Sequence, residues 1–404
     1  MKKTKNSNDI LVKKSEIKIN LNVMKKKIAL NALVLTEESG GLGTYLNQLI
    51  EYLHSNDFDF ELIIFLAEDT YESKNQFKNK EVFKKVKVIS NKAITRIMRE
   101  KYLWPKLLKE YKIDLLHSPI SYIPLGIDIP SLITIHDLGF FHFPQNYTLL
   151  RRTFLKKMIR DSVEKAVKVI TISEFTKKDI INTFNTNPDK ISVIYEGMDK
   201  GKYQKKSNSK KLEIAREKHG LSDKYILSVG HLEPRKNYLR LIKAFEIIKK
   251  KYNLPHKLVI IGRENWKFKK IFELINELGL KDQIVLTRFV SEDDLITIYQ
   301  NADVFVTAST FEGFGFTPLE AMAAGIPVAA SNASSIPEVV GDAANMFDPL
   351  DVDDIANNIY EVICSDQLRK ELVHKGHINL KRFDWKECCC QTVQEYENVI
   401  RMLK

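Results

Sequence analysis

Short apolar runs alternate with longer stretches of mixed polarity from about residue 27 to the end of the chain. The runs at 27–35, 61–66, 86–89, 113–118, 132–137 and 169–172 read as buried strands, and a second series stands at 225–229, 258–261, 284–290, 302–308 and 326–330. Between them apolar residues return at helical spacing, as with Leu46, Leu49, Ile50 and Leu53 after the first run,. Strands alternating with helices predict parallel sheets, and ligands on such sheets sit at the carboxyl ends of the strands. The two series are separated by residues 199–223, where 200–211 are polar, charged and without periodicity, the pattern of a linker or surface loop,. The expected fold class is therefore α/β. A basic tail (1–23) precedes one sheet domain (24–200), a second (201–380) follows, and a helical segment (381–404) carries Val393, Tyr396, Val399 and Ile400 at near-helical spacing.

Composition narrows the class. A chain of 404 residues is comfortable for two cores, and 44% hydrophobic content indicates a folded, soluble protein,. No run approaches the roughly 18 apolar residues of a spanning helix. Residues 1–9 are basic but lack the apolar core of a signal peptide, which points to the cytoplasm, and Met24 is a second plausible start,. Of the four cysteines, Cys388, Cys389 and Cys390 are consecutive, a spacing that suits neither a disulfide framework nor a Cys-x-x-Cys metal site,. They and Cys364 read as reduced thiols, of which one or two can face a core,.

The net charge of +11 favours anionic partners, namely phosphorylated substrates, membrane surfaces or nucleic acid,. Nucleic acid is the weakest of these, because the chain has no zinc-finger spacing, RNP-like aromatic motif or basic heptad array,. Residues 147–167 place Leu149, Leu150, Phe154, Leu155, Met158, Ile159 and Val163 on one helical stripe with Arg151, Arg152, Lys156, Lys157 and Arg160 on the rest. Such a helix most often faces a core with a solvated basic side, and an anionic bilayer is the second reading. Residues 95–104 have a similar character and are interrupted by Pro105.

The chemistry concentrates in residues 310–330. Gly313-Phe314-Gly315 lets the backbone approach a ligand closely, and Thr317, Pro318 and Glu320 read as N-cap, N1 and N3 of a short helix,. A helix start of this kind attracts phosphate, while Glu312 and Glu320 can accept hydrogen bonds from sugar or ribose hydroxyls. The plainer reading is a capping box with a loop carboxylate beside it. Ser335-Ile336-Pro337-Glu338 is a second such box. Gly40-Gly41-Leu42-Gly43 breaks the first strand with a loop that can cradle a phosphate or simply form a tight turn,. The stretch Gly230-His231-Leu232-Glu233-Pro234-Arg235-Lys236-Asn237 delivers two cations to a turn, a fit for a pyrophosphate or an ordinary surface turn,. His117 and His136 fall at strand ends, where a histidine also serves as a structural hydrogen-bonder,. Asp351-Val352-Asp353 reads as a helix cap rather than a metal site, and no metal ligand set is identified.

Glu312 and Glu320, with the intervening Gly313-Phe314-Gly315-Phe316-Thr317-Pro318-Leu319, resemble the E-x7-E signature of the retaining glycosyltransferase family 4, which has the GT-B fold. The glycines at 40–43, His136-Asp137, residues 169–176 and the segment 230–237 match the same family in order, so the resemblance covers about residues 27–404. Two departures are His231, where many relatives carry Arg, and Tyr195-Glu196, where the family has Pro-Asn. The resemblance implies two Rossmann-like domains facing a cleft, with the last helix crossing back to the first domain. It implies a retaining, metal-independent hexosyltransferase, with no cofactor beyond the nucleotide-diphosphate sugar it consumes. Arg235 and Lys236 would hold the diphosphate together with the start of the helix at Thr317. Gly41, Gly43, Gly230, Gly313, Phe314, Gly315 and Phe316 would line the donor site, with Glu320 on the ribose and Phe289 and Val290 beside the base. Glu312 would position the donor sugar, His136 would contact it from the other domain, Asp137 would orient the ring or the acceptor, and His117 is a weaker cleft candidate. The expected donor is GDP-mannose or a UDP-sugar, with mannose favoured. The expected acceptor is a glycan or lipid-linked acceptor of cell-surface polysaccharide or lipopolysaccharide synthesis. The rival readings are a degenerate sugar-nucleotide-binding scaffold and another GT-B enzyme such as an epimerase.

Overall fold

The computed structural model describes residues 25–36, 39–73, 80–86, 93–144, 149–205, 207–264, 268–288 and 290–403. Among these, the strands form two wholly parallel sheets. The first contains β1 (Lys26–Ala32), β2 (Phe60–Ala67), β3 (Phe83–Val86), β4 (Leu115–Ser118), β5 (Ser131–Ile135), β6 (Lys168–Thr171) and β7 (Ile191–Val193), in the order β3-β2-β1-β4-β5-β6-β7. The second contains β8 (Tyr225–Val229), β9 (Lys257–Ile261), β10 (Ile284–Thr287), β11 (Val304–Thr307), β12 (Val328–Ser331) and β13 (Asn345–Phe347), in the order β10-β9-β8-β11-β12-β13. Each order reverses beside its first strand, so each sheet has a crevice at its carboxyl edge, and the two crevices confront one another. Helices cover both faces, which explains why the strands read as continuous apolar runs rather than as alternations.

Local chemistry sets the element ends. β1 stops at Ala32, short of the apolar run, because the Asn31 side chain accepts from the Leu33 N–H and Leu35 N–H turns back to the Ala32 carbonyl. The helix Ala93–Glu110 runs through Pro105 rather than being interrupted there. Burial of Trp104 and Leu108, with the Trp104 ring edge-on to Phe65, holds the turn that proline weakens,. Of the expected strand at 86–89, residues 87–89 lie outside the described residues. Residues 200–211 are not an irregular linker. Asp199 and Asn208 cap the helices Lys200–Gln204 and Ser209–His219, and Gly220 ends the second in a left-handed conformation,. Each of these helices buries a single side chain, Tyr203 or Ala215, so no apolar period was available to read.

The helix Leu149–Lys165 buries Met158, Ile159 and Val163 in the first domain, but Leu149 stays 69% exposed and Phe154 36% exposed at its start. No helix among the described residues is long and apolar enough to cross a membrane. After the second sheet the chain returns. Phe383, fully buried, packs beside Tyr195 and Phe314, and the helix Trp385–Met402 lies against the helix Gly40–Ser55 and β6. Its Cys388, Cys389, Val393, Tyr396 and Val399 join the core around Ile28, Leu30 and Leu132. Two of the cysteines thus face a core, while Cys364 and Cys390 are exposed.

Candidate active site

The segment after β11 carries Glu312, and the turn after β8 carries Arg235 and Lys236. Both lie at strand carboxyl ends of the second sheet, and neighbouring strands bring them together. The Glu312 carboxylate takes Arg235 on Oε2 at 2.5 Å and Lys236 on Oε1 at 2.7 Å. Arg235 also pairs through Nε with Glu233 at 2.6 Å and donates to the Phe311 carbonyl at 3.2 Å. Burial pushes the Glu312 carboxyl up, but Lys236 and Arg235 outweigh it and hold the group at about 2. Burial likewise disfavours the Arg235 charge, and Glu312, Glu233 and Asp137 more than restore it. Gly230 is what lets Lys236 reach its partner, because a Cβ there would sit 2.9 Å from Lys236 Cε.

The first domain meets this cluster at Gly313. The Gly313 carbonyl accepts from the Ser173 hydroxyl at 2.7 Å, with the Thr176 hydroxyl at 3.3 Å, and a Cβ on Gly313 would collide with the His136 carbonyl. His136 follows β5 at the opposing crevice, with its ring edge-on to Tyr45 and Nδ1 3.3 Å from Glu196. Asp137 accepts from the Gly139 N–H at 2.8 Å, which starts the turn behind it. Ser173 caps the helix Glu174–Phe184, and Glu338 of the second domain completes that cap by accepting from the Glu174 and Phe175 N–H groups at 2.6 and 3.0 Å. Glu338 therefore does not serve its own short helix Ile336–Val340, and Ser335 instead donates to the Phe314 carbonyl at 2.7 Å.

Several expected placements change. The helix after Glu312 is Phe316–Ala323, preceded by Gly315 at φ 115° and with no side-chain cap. Thr317 is therefore inside the first turn rather than at the N-cap, and Glu320 is not at N3. Glu320 instead accepts from the Tyr299 hydroxyl at 2.8 Å. Burial, then the Glu320 charge, pushes the Tyr299 and Tyr203 phenols far up, so both keep their protons beside the carboxylate. Gly40 to Gly43 form the first turn of the helix Gly40–Ser55, not a loop. Gly41 there faces the Phe316 ring of the second domain, 3.2 Å from where its Cβ would be, and Gly43 packs on Ser39. Phe316 stacks on Trp385, and the Phe314 ring is buried between Tyr195, Phe316 and Phe383. Val290 packs against the core of the second domain, and Phe289 lies outside the described residues.

His117 is not in the cleft. It is fully buried beneath the C-terminal helix, with Nδ1 2.6 Å from the Tyr396 hydroxyl and Nε2 2.8 Å from Thr134 Oγ1. Burial, aided by nearby His136, drops it to about 3. Asp351 caps the helix Val352–Cys364 by accepting from the Asp353 and Asp354 N–H groups.

Residues 39–202 match the profile of Glycosyltransferase Family 4, and residues 209–377 match that of glycosyl transferases group 1. O-antigen chain mannosyltransferase B of Escherichia coli is 31% identical over 290 residues, which cover 72% of this chain and 76% of that protein. The chain belongs to glycosyltransferase family 4. O-antigen chain mannosyltransferase RfbU of Salmonella typhimurium is also 31% identical, over 54% of this chain and 57% of its own. Sucrose-phosphate synthase of Thermosynechococcus elongatus superposes with a TM-score of 0.75 at 19% identity, covering 94% of this chain and 100% of that one, which shows a shared GT-B fold.

As a glycosyltransferase of this family, the chain carries its cleft groups on segments far apart in sequence. The roles of Glu233, Tyr299 and Glu338 and the contact of Glu196 with His136 are not evident from the sequence. Only Glu338 and Glu196 had any signal, the one as part of a capping box and the other as a departure from the family pattern. Tyr299 lies in an ordinary helical stripe, and Glu233 precedes a proline turn without distinguishing spacing.

Proposed function

We propose that this glycosyltransferase moves mannose, with retention of anomeric configuration, from GDP-mannose to a glycan or lipid-linked acceptor of cell-surface polysaccharide. The observation that carries the reading is the Arg235–Glu312–Lys236 cluster at the carboxyl ends of β8 and β11, two cations on one buried carboxylate. Sequence similarity to the O-antigen mannosyltransferases supports the choice of sugar and acceptor class.

Arg235 offers a fork for two diphosphate oxygens, and Lys236 a compact charge. The incoming diphosphate competes with Glu312 for them, which frees the carboxylate to accept from a donor-sugar hydroxyl. As the bond from the anomeric carbon to the diphosphate breaks, the acceptor oxygen bonds that carbon on the same face and its proton passes to the departing diphosphate. The protein holds both partners and stabilises the charge building on the leaving group. The start of the helix Phe316–Ala323, which has no side-chain cap, would offer its free N–H groups to the same charge,. Glu320 would accept from the ribose, and His136 would meet the sugar from the first domain. The chemistry needs no metal ion or further cofactor.

A panel of nucleotide sugars, tested for saturable binding and slow hydrolysis with wild type beside Glu312→Ala, checks the reading. One donor, GDP-mannose, should saturate and be turned over by wild type alone. Failure of every donor to bind would bring forward the degenerate scaffold, and interconversion of a donor without transfer would bring forward an epimerase. The exposed Leu149 and Phe154 beside Lys156 and Lys157 would let the start of the helix Leu149–Lys165 rest on anionic lipid,. Sedimentation with phosphatidylglycerol vesicles should then fall as salt rises, and no binding at low salt would remove the membrane contact.

A further inference from the structure

The loop after β7 carries a carboxylate that nothing in the proposed chemistry uses. Glu196 is 1% exposed, and its Oε1 has no hydrogen-bond partner among the described residues. An ionised carboxylate in such a place is costly unless a proton donor or a cation answers it. The group that stands there is His136, whose Nδ1 is 3.3 Å from Oε1. The two atoms are within reach but not aligned as an N–H···O bond, a state in which catalytic contacts are often found before substrate tightens them,.

The loop cannot swing away. Tyr195 packs on Phe314 and Phe383, and Gly197 lies so close to the backbone of Trp385 that no Cβ would fit. The two residues flanking Glu196 are therefore clamped by the segment that carries the chain back to the first domain. On the other side, the His136 ring is held edge-on by Tyr45 at 5.3 Å, and its carbonyl lies against Gly313. The remaining ring nitrogen, Nε2, is enclosed and has no partner among the described residues.

We infer that Glu196 is a positioning residue for His136: its carboxylate accepts the hydrogen on Nδ1 and so fixes the orientation and tautomer of the ring that meets the donor sugar. Which nitrogen of a neutral imidazole carries hydrogen is set by the partner the other nitrogen finds, and here that partner is an acceptor only. This rests on the reading above that His136 meets the donor sugar. It adds the group that orients the histidine, at a position where this chain departs from the family's Pro-Asn.

Two measurements test it. In the full chain labelled with 15N-histidine, with His136→Asn identifying the signal, the ring shifts report the tautomer with no donor present. Wild type should carry its hydrogen on Nδ1, and Glu196→Ala should move it to Nε2. With the donor, Glu196→Ala should lower kcat roughly 10- to 100-fold, the range found when the outer partner of a liganding histidine is removed, while the donor KM changes less. Glu196→Gln, of the same shape, should keep the fold and recover part of kcat, since its amide oxygen still accepts from Nδ1. The same tautomer in wild type and Glu196→Ala, or an unchanged kcat in both variants, overturns the inference. If no donor is found, a tautomer shift still supports the Glu196–His136 contact, so failure of the transferase reading is told apart from failure of this one.

Discussion

Glu312 decides the chemistry at the scale of single residues. It is a buried carboxylate whose cost of burial is met by two cations on a neighbouring turn, and neither cation would sit so close without it. Its carboxyl lies at about 2 in the folded chain against an ordinary 4.5. A folded value below the unfolded one means that the stabilisation is fully present above about pH 4.5 and is lost as pH falls towards 2,. That difference corresponds to roughly 3 kcal/mol. Glu312→Gln should therefore be less stable than wild type at pH 6, and the gap should close as pH falls through 4.5 and below. Denaturant titrations of both proteins across that range measure it, and a gap that stays constant would mean that the ion pairs contribute little.

Among the elements, the C-terminal helix Trp385–Met402 does more than finish the chain. Tyr396 reaches into the first sheet to meet His117 at 2.6 Å, while Thr134 takes the other ring nitrogen. The imidazole is neutral because its burial leaves no room for a hydrated charge, and each nitrogen has a hydroxyl that can turn to suit it,. Tyr396→Phe keeps the packing but strands one ring nitrogen, which should destabilise the protein by about 1–3 kcal/mol. The unfolding midpoint in urea reads this, and an unchanged midpoint would show that the helix is held by apolar contact alone.

Taken whole, the described residues build two sheets, and Gly313 is a point where their domains meet closely. Ser173 and Thr176 grip its carbonyl, the His136 carbonyl occupies the place a Cβ would take, and Glu338 caps a helix of the other domain nearby. Gly313→Ala introduces a methyl group where the domains touch, not inside either core. The expected result is a drop in turnover of at least about tenfold, following misplacement of the two halves of the site, with thermal unfolding nearly unchanged. Unfolding at a much lower temperature would instead mean that the position supports the second domain itself.

The sequence alone determined the α/β class, the two parallel sheets, most strands and the candidate cations and carboxylates, because these depend on local apolar runs and on residue types at short spacing. Arg235, Lys236 and Glu312 were legible as chemistry, yet nothing in their order along the chain says that one carboxylate holds both cations. His117 looked like a cleft residue because it ends a strand, and only the returning helix buries it. Thr317 and Glu320 had the spacing of a capping box, but the left-handed Gly315 started the helix earlier and Tyr299 took the carboxylate. Glu196 and Glu338 act across tens or hundreds of residues, on His136 and on the helix behind Ser173. Such pairings are chosen by which strand ends face one another after folding, and no local period records them, so tertiary structure alone decided how the site is assembled.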